Sequence, residues 1–297
     1  MLDELTQSLQ QVQRTVGPGV VSIGSRGRGC GVVVADGLIA TNAHNLRGAT
    51  TTVTFSDGRS ELATVRSADP DTDLAVIAVD TGSAPILEWA DRAPETGQLV
   101  LAVSLSIGAP ARVTFGTVSA IDRAFRGPRG RRISGSIEHT APLPRGSSGS
   151  ALVDPAGRVY GISTHRLGEG FYLAVPASAE LRQRIDALGR GESSGRPQLG
   201  VGLAPTGAAG PMRRAVGLPE REGLLVRVVE EGSAADRAGL RPGDLLVSAA
   251  DRPLRSQDDL YDVLDAHRAT TALDVGVVRG SEELRIPVGF NGGTPNA

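Results

Sequence analysis

The chain has 297 residues, enough for two domains, because single hydrophobic cores seldom grow beyond about 250–300 residues. Its formal net charge is −2, which gives no sign of a nucleic-acid partner, and its one cysteine excludes an intramolecular disulfide. No segment approaches the ~20 apolar residues that span a bilayer, so no membrane span is predicted.

The N-terminal segment is polar and acidic and lacks the apolar core of a secretory signal. Taken as written, the chain is predicted to be soluble and cytoplasmic. A processed N-terminus would look the same and would allow an extracytoplasmic location. We predict no cofactor and no metal.

Between residues 20 and 175, ten short apolar runs alternate with turns rich in Gly, Asp and Pro. This pattern predicts a mainly β domain, either an antiparallel barrel or a sandwich. A helix over residues 176–188 closes the domain: Pro176 suits a first helical turn and Gly189 ends it. We therefore assign residues 1–190 to the first domain, including a short N-terminal arm.

Residues 191–197 form a polar linker rich in Gly and Ser. Residues 198–290 then alternate strands with two short helices, which predicts a small α+β domain. Ser233 and Ser256 are expected to cap these helices, with Asp236 and Asp259 completing capping boxes. Residues 291–297 are predicted to be a flexible tail.

The segment from Pro144 to Asp154 carries the candidate nucleophile, Ser148. A serine hydroxyl becomes nucleophilic when a base removes its proton, and the oxyanion that forms needs backbone donors. Gly146 and Gly149 flank Ser148, so the N–H groups of Gly146 and Ser148 are the expected oxyanion hole. Such a loop by itself is also typical of an ordinary turn.

The candidate base is His44, which follows a strand in the run TNAH. A turn histidine with local polar partners is the alternative interpretation. Asp73 directly precedes an apolar strand and is the candidate for the acid that orients the imidazole. Asp69 and Asp71 are better explained as turn residues.

The order of the three residues along the chain indicates one class of serine hydrolase. His44, Asp73 and Ser148 occur in the order of chymotrypsin-like enzymes, whereas subtilisins and α/β-hydrolases use other orders. The hydrolase motif also fails locally, because Ser150 occupies the position where it requires glycine. An all-β context agrees with the chymotrypsin order.

The runs GCGVVVADGLIATNAH, DPDTDLAVI and PRGSSGSALVDPAGRVYGIST resemble the HtrA (Deg) family of trypsin-like proteases. The run AGLRPGD, from Ala238 to Asp244, resembles a PDZ domain. The resemblance implies a chymotrypsin-like double β-barrel protease domain followed by a small α+β PDZ domain. It also implies cleavage of unfolded or damaged proteins and binding of peptide C-termini.

Four features depart from the family pattern. Ser147 and Ser150 replace Asn and Gly around the nucleophile, and Asn45 stands where many members have Val and vertebrate trypsins have Cys. Cys30 resembles the other half of that vertebrate disulfide and is expected to be a buried free thiol. The arm lacks the aromatic residues that commonly pack HtrA trimers, which leaves a homo-trimer open. No signal segment is visible.

The substrate pocket is expected between the segment before Ser148 and the strands at 161–165 and 170–175. Its predicted residues are Leu143, Thr164 and Phe171. Since no acid is among them, we expect small or medium apolar side chains on the acyl side of the scissile bond.

In the PDZ domain, a peptide is expected to add as a strand, with its carboxylate bound by N–H groups of the loop Arg221, Glu222, Gly223 and Leu224. An alternative function is a degenerate protease that acts as a PDZ-based peptide-binding, chaperone or adaptor protein. Ser147 and Ser150 are its support.

Overall fold

The computed structural model describes residues 2–70, 72–126, 132–168, 170–192, 198–205, 207–267 and 272–290. The chain forms two compact units, Met1–Ser194 and Gly195–Ala297, divided within the predicted linker. Most of that linker, the predicted tail and Asp71 lie outside the described residues. None of the described helices is long and apolar enough to cross a membrane.

Six antiparallel strands of the first unit close into a barrel in the order β1-β2-β3-β6-β5-β4. They are β1 (Val20–Ile23), β2 (Gly29–Ala35), β3 (Leu38–Thr41), β4 (Thr50–Thr54), β5 (Ser60–Asp69) and β6 (Leu74–Ala78). Side chains that alternate along these strands point inward, as the period of two in a strand requires. Val21, Ile23, Val33, Ile39, Val53 and Ile77 fill the interior.

A second barrel has the order β10-β11-β12-β9-β8-β7. Its strands are β7 (Leu99–Ser104), β8 (Arg112–Arg126), β9 (Arg132–His139), β10 (Ala151–Val153), β11 (Val159–Arg166) and β12 (Tyr172–Pro176). A shared apolar core joins the two barrels and includes Cys30, Val32, Leu101 and Ile162. The double barrel confirms the predicted mainly β fold and excludes the sandwich.

Two helices pack on this core. The N-terminal arm, for which no helix was predicted, forms α1 (Leu2–Thr15) and buries Val12 completely. Helix α2 (Ala179–Gly189) begins later than expected: Pro176 ends β12, and the Ser178 hydroxyl caps the helix by accepting from the Leu181 N–H at 3.2 Å. The cap therefore replaces proline as the start signal.

The second unit is a small α+β domain. Its sheet has the order β13-β14-β15-β17-β18, with β16 paired to β15. The strands are β13 (Val201–Leu203), β14 (Leu224–Val229), β15 (Leu245–Ala249), β16 (Arg252–Pro253), β17 (Ala272–Arg279) and β18 (Glu282–Gly289). The helices are α3 (Ala209–Ala215), α4 (Ala234–Arg237) and α5 (Gln257–Ala266). Helix α5 begins with the predicted Ser256–Asp259 capping box.

Candidate active site

His44 and Asp73 meet at the edge of the first barrel. His44 lies in a short 3-10 turn directly after β3, and Asp73 lies in the turn before β6. The Nδ1 atom of His44 is 2.7 Å from Asp73 Oδ2, and the His44 backbone N–H donates to Asp73 Oδ1 at 3.0 Å. Asp73 is 2% exposed. A carboxylate on Nδ1 leaves the other ring nitrogen, Nε2, as the acceptor.

The turn holds Asp73 in an uncommon backbone conformation, with φ of +55°. Its main-chain carbonyl accepts hydrogen bonds from Asn42 Nδ2 at 3.0 Å and from the Ala43 N–H at 3.2 Å. These bonds tie the Asp73 turn to the segment that carries His44. The geometry of the pair is therefore fixed by main chain as well as by side chains.

Ser148 lies in the loop before β10 of the second barrel. Its hydroxyl donates to the Thr164 carbonyl at 3.1 Å, and the Thr164 hydroxyl donates to Asp73 Oδ2 at 3.0 Å. Thr164 therefore connects Ser148 to the His44–Asp73 pair. Among the described residues, no hydrogen bond joins the Ser148 hydroxyl to His44, and such contacts are often long without substrate.

The loop around Ser148 needs glycine at two positions. Gly146 and Gly149 have φ of +82° and +92°. A Cβ on Gly149 would overlap the Cys30 carbonyl oxygen, and one on Gly146 would lie 2.7 Å from the Gly27 carbonyl oxygen. In the described part of the chain, neither the Gly146 nor the Ser148 N–H donates to another protein group. Both donors are free to receive an oxyanion.

Two residues that depart from the family pattern lie beneath this loop. Asn45 is fully buried, and its Nδ2 donates to the Ser148 carbonyl at 2.9 Å and to the Thr41 hydroxyl at 3.0 Å. Cys30 is a buried free thiol, as predicted, and its N–H donates to the same Ser148 carbonyl at 2.7 Å. Burial raises the pKa of the Cys30 thiol to about 11, partly offset by a hydrogen bond to the Leu105 backbone. The thiol is therefore unreactive near neutral pH.

Asp69 is more than the surface turn residue that the sequence suggested. It is completely buried at the end of β5 and accepts a hydrogen bond from the Thr72 hydroxyl at 2.7 Å. Arg184 of α2 forms an ion pair with it. A buried charge requires such a partner. Asp69 therefore stabilises the turn before Asp73 and has no contact with His44 among the described hydrogen bonds.

A cavity of about 150 Å³ adjoins Ser148. Leu143 and Thr164 line it, as expected, but Phe171 does not and is 43% exposed. Tyr172 takes its place, because neighbouring residues along an extended chain point to opposite sides. The remaining lining comes from residues 144–148, 163, 165 and 166. Ser163, Arg145 and Arg166 were not predicted from the sequence, although they lie within two residues of predicted pocket positions.

The predicted PDZ loop, Arg221, Glu222, Gly223 and Leu224, runs directly into β14. That strand pairs with β13 on one side and with β15 on the other, so it cannot accept a peptide strand. Arg221 and Glu222 instead form ion pairs with Glu283 and Arg255. The pairing excludes strand addition at β14 itself, and the assignment of the loop N–H groups to the peptide carboxylate stays a prediction of the sequence.

Strand β13 pairs on one side only among the described strands. Leu199 and Gly200 precede it, and their carbonyls accept from the Ala235 and Glu230 N–H groups. The described chain offers no backbone acceptor to their own N–H groups. The sequence signal for this edge was the run Leu199-Gly200-Val201, which follows the linker and leads into β13.

In the part of the chain that the structure describes, no group of three His, Cys, Asp or Glu side chains is placed to hold a metal ion.

Both units of the chain match known protein domains. Residues 29–162 match the trypsin-like peptidase domain, and residues 225–275 match the PDZ domain. The putative serine protease HhoA of Synechocystis sp. is 30% identical over 280 residues, which cover 88% of this chain and 70% of the relative. The serine endoprotease DegS of Escherichia coli (strain K12) is 30% identical over 315 residues, covering 96% and 86%.

Solved structures are similar over most of the chain. The serine endoprotease from Yersinia pestis has 26% identity and a TM-score of 0.63, covering 95% of this chain and 96% of that one. The HtrA-type protease AlgW with decapeptide has 23% identity and a TM-score of 0.65, covering 95% and 97%, and supports the fold alone. The chain is a serine-type endopeptidase and belongs to the HtrA family of trypsin-like proteases with a PDZ domain.

Proposed function

We propose that His44, Asp73 and Ser148 form the catalytic triad, with Ser148 as nucleophile and His44 as general base. The observation that carries this proposal is the 2.7 Å contact between His44 Nδ1 and the buried Asp73 carboxylate. In the reaction, the Ser148 hydroxyl leaves the Thr164 carbonyl and transfers its proton to His44 Nε2 while it attacks the peptide carbonyl. Asp73 stabilises the imidazolium that results.

The N–H groups of Gly146 and Ser148 are proposed to stabilise the oxyanion. Both lack an acceptor in the described chain, and the loop geometry is fixed by close contacts of Gly146 and Gly149. Preorganised donors of this kind contribute a large part of the rate enhancement in acyl transfer. The alternative of a degenerate protease is not favoured, because the relatives named above are serine proteases.

Fluorophosphonate labelling tests the triad. We expect the reagent to modify Ser148 of the wild-type protein and to leave Ser148→Ala unmodified. Ser150→Ala is a matched control two residues away, since Ser150 is completely buried and its hydroxyl has no partner in the described chain. Labelling of Ser148→Ala at the wild-type rate would show that Ser148 is not the nucleophile.

The substrates are proposed to be unfolded or damaged polypeptides, whose C-termini bind to the PDZ domain. We propose that such a peptide adds to the free edge of β13, with its carboxylate at the Leu199 and Gly200 N–H groups. Gly200 has φ of +75°, which turns the chain immediately before the strand. Main-chain hydrogen bonds provide the affinity in strand addition.

Hydrogen exchange of the full-length Ser148→Ala protein tests this position. A decapeptide with an apolar C-terminal residue is expected to protect amides at 199–203 and to leave those at 221–224 unchanged. The same peptide with an amidated C-terminus is the control, because it lacks the carboxylate. Protection confined to 221–224 would contradict the proposal. The homo-trimer and the cellular compartment remain predictions of the sequence.

A further inference from the structure

The cavity beside Ser148 has an unusual charge for a pocket expected to hold an apolar side chain. Its lining includes two arginines, Arg145 and Arg166, and no acidic residue. Arg145 is exposed in the loop that carries Ser148, and Arg166 is the last residue of β11. The walls therefore present positive charge to whatever side chain enters.

The guanidinium of Arg166 is held at the cavity wall. Its Nη2 donates to the Tyr172 hydroxyl at 3.4 Å, and its Cζ lies 5.4 Å from the centre of the Tyr172 ring. Tyr172 is 6% exposed and lines the cavity. Among the described residues, no carboxylate forms an ion pair with Arg166. Contact with an aromatic ring restricts the guanidinium and leaves most of its donors unused.

A second wall residue also has unused hydrogen-bonding capacity. Ser163 is 2% exposed and lines the cavity, and its hydroxyl has no partner within the described protein. Its main chain is satisfied: the N–H donates to the Ser150 carbonyl at 2.9 Å, and the carbonyl accepts from the Gly149 N–H at 2.7 Å. Since buried polar groups are nearly always paired, this hydroxyl at the cavity wall could donate to an acceptor oxygen that enters the cavity.

Two acids of the first unit, Asp73 and Glu138, already have partners of their own. Asp73 accepts hydrogen bonds from His44 and from the Thr164 hydroxyl. Glu138 of β9 accepts from the Ser119 hydroxyl at 2.8 Å and pairs with Arg123 at 3.0 Å. Neither carboxylate forms an ion pair with Arg166 among the described residues. Among the described residues, the positive charge at the cavity is therefore without a paired carboxylate.

We propose that this cavity selects an acidic side chain, Glu or Asp, on the acyl side of the scissile bond. The inference rests on the proposed function, because attack by Ser148 brings that side chain to the adjoining cavity. A carboxylate only accepts hydrogen bonds, which matches the free donors of Arg166, the Ser163 hydroxyl and the Tyr172 hydroxyl. An apolar side chain would desolvate Arg166 and Ser163 without giving them partners. The preference replaces the apolar one expected from the sequence.

Matched fluorogenic tetrapeptides test the preference. They differ only in the residue before the scissile bond, which is Glu, Asp, Gln, Leu, Val or Lys. We expect kcat/KM for Glu to exceed that for the neutral isostere Gln by about ten- to a hundredfold, the usual range for hydrogen bonds to a charged group. Equal values for Glu and Gln, or a higher value for Leu or Val, would overturn the proposal.

Substitutions assign the preference to the cavity. Arg166→Gln is expected to reduce the Glu-to-Gln ratio to about one to threefold, and Arg166→Glu to favour Lys over Glu. Arg66→Gln is the matched control: Arg66 is exposed on β5 of the other barrel, so the same charge change there should preserve the ratio. A ratio that persists in Arg166→Gln would contradict the role of Arg166.

Labelling separates this proposal from the one it rests on. A neutral fluorophosphonate reports whether Ser148 is active, whatever the pocket prefers. Wild-type protein that is labelled at Ser148 but cleaves the Glu and Gln peptides equally would refute the acidic preference alone. Protein that is not labelled at Ser148 would refute the proposed triad, and the acidic preference with it. Labelling of Arg166→Gln verifies that the variant has folded.

Discussion

Gly146 and Gly223 lie in two loops that each lead into a buried strand, yet the loops differ in what surrounds the glycine. Gly146 has φ of +82°, and its N–H is unpaired in the described chain, as is that of Ser148. Gly223 packs against β15, where a Cβ would lie 2.7 Å from the Leu246 carbonyl oxygen. The strands that follow the two loops, β10 and β14, are each paired on both sides. Glycine therefore marks close packing in both loops, and the Ser148 loop differs because it places two unpaired N–H groups beside a serine hydroxyl.

The largest expected effect comes from removing the base that makes the Ser148 loop reactive. His44→Ala is predicted to lower kcat on a short peptide by roughly 10⁶-fold, because loss of a triad member leaves only residual catalysis. His267→Ala in the second unit is the control, since the His267 ring contacts only its own helix, at the Val263 carbonyl, among the described hydrogen bonds. Equal losses in both variants would show a general effect of histidine loss.

The proposed triad could be selected from the sequence because each of its residues stands in a short local pattern and the three follow one chain order. Thr164 was predicted as a pocket residue, and no local pattern shows that its hydroxyl contacts Asp73, 91 residues earlier in the chain. The central position of β14 in the PDZ sheet could not be predicted for a related reason. Strand β14 is central because β13 pairs with it, and the pairing of two strands cannot be inferred from the sequence of either strand alone.

Exchanging each glycine for alanine sharpens the comparison between the loops. Gly146→Ala is predicted to lower kcat by about 10²–10³-fold, since a Cβ there displaces the oxyanion donors. Gly223→Ala is predicted to leave hydrolysis of a tetrapeptide unchanged and to lower the melting temperature of the second unit, because its Cβ would meet β15. Kinetics and calorimetry on the same preparations check both. A loss of peptide hydrolysis in Gly223→Ala would contradict the expectation that only the Gly146 loop affects catalysis.

Asn45 gives a smaller effect on the same loop. Its side chain fixes the Ser148 carbonyl at 2.9 Å. Asn45→Leu removes this hydrogen bond at similar volume, and we expect kcat to fall by about two- to tenfold, in line with the usual worth of one neutral hydrogen bond. KM should stay near the wild-type value, because Asn45 does not line the cavity. A change confined to KM would show that Asn45 affects binding instead of the position of Ser148.

A separate effect concerns stability and distinguishes the two units by pH. His139 is fully buried beside Tyr172, with ring centres 5.7 Å apart, and neither ring nitrogen has a partner in the described chain. Burial lowers the pKa of His139 to about 4. The unfolded chain binds this proton near the ordinary histidine pKa of about 6.5, so the unfolded state gains protons first as pH falls. The free energy of unfolding of the first unit should therefore decrease between about pH 6.5 and 4.

His139→Phe isolates this contribution, because phenylalanine keeps the ring contact with Tyr172 and cannot titrate. At about 1.4 kcal/mol per pKa unit, the wild-type protein should lose at most about 3 kcal/mol more than the variant over that interval. Differential scanning calorimetry at pH 7 and pH 4.5 measures the difference for the transition of each unit. The transition of the second unit should not differ between the wild type and His139→Phe, since His139 lies outside that unit. Parallel pH dependence of the wild type and His139→Phe would mean that the buried imidazole is protonated without cost, by a rearrangement that exposes it to water.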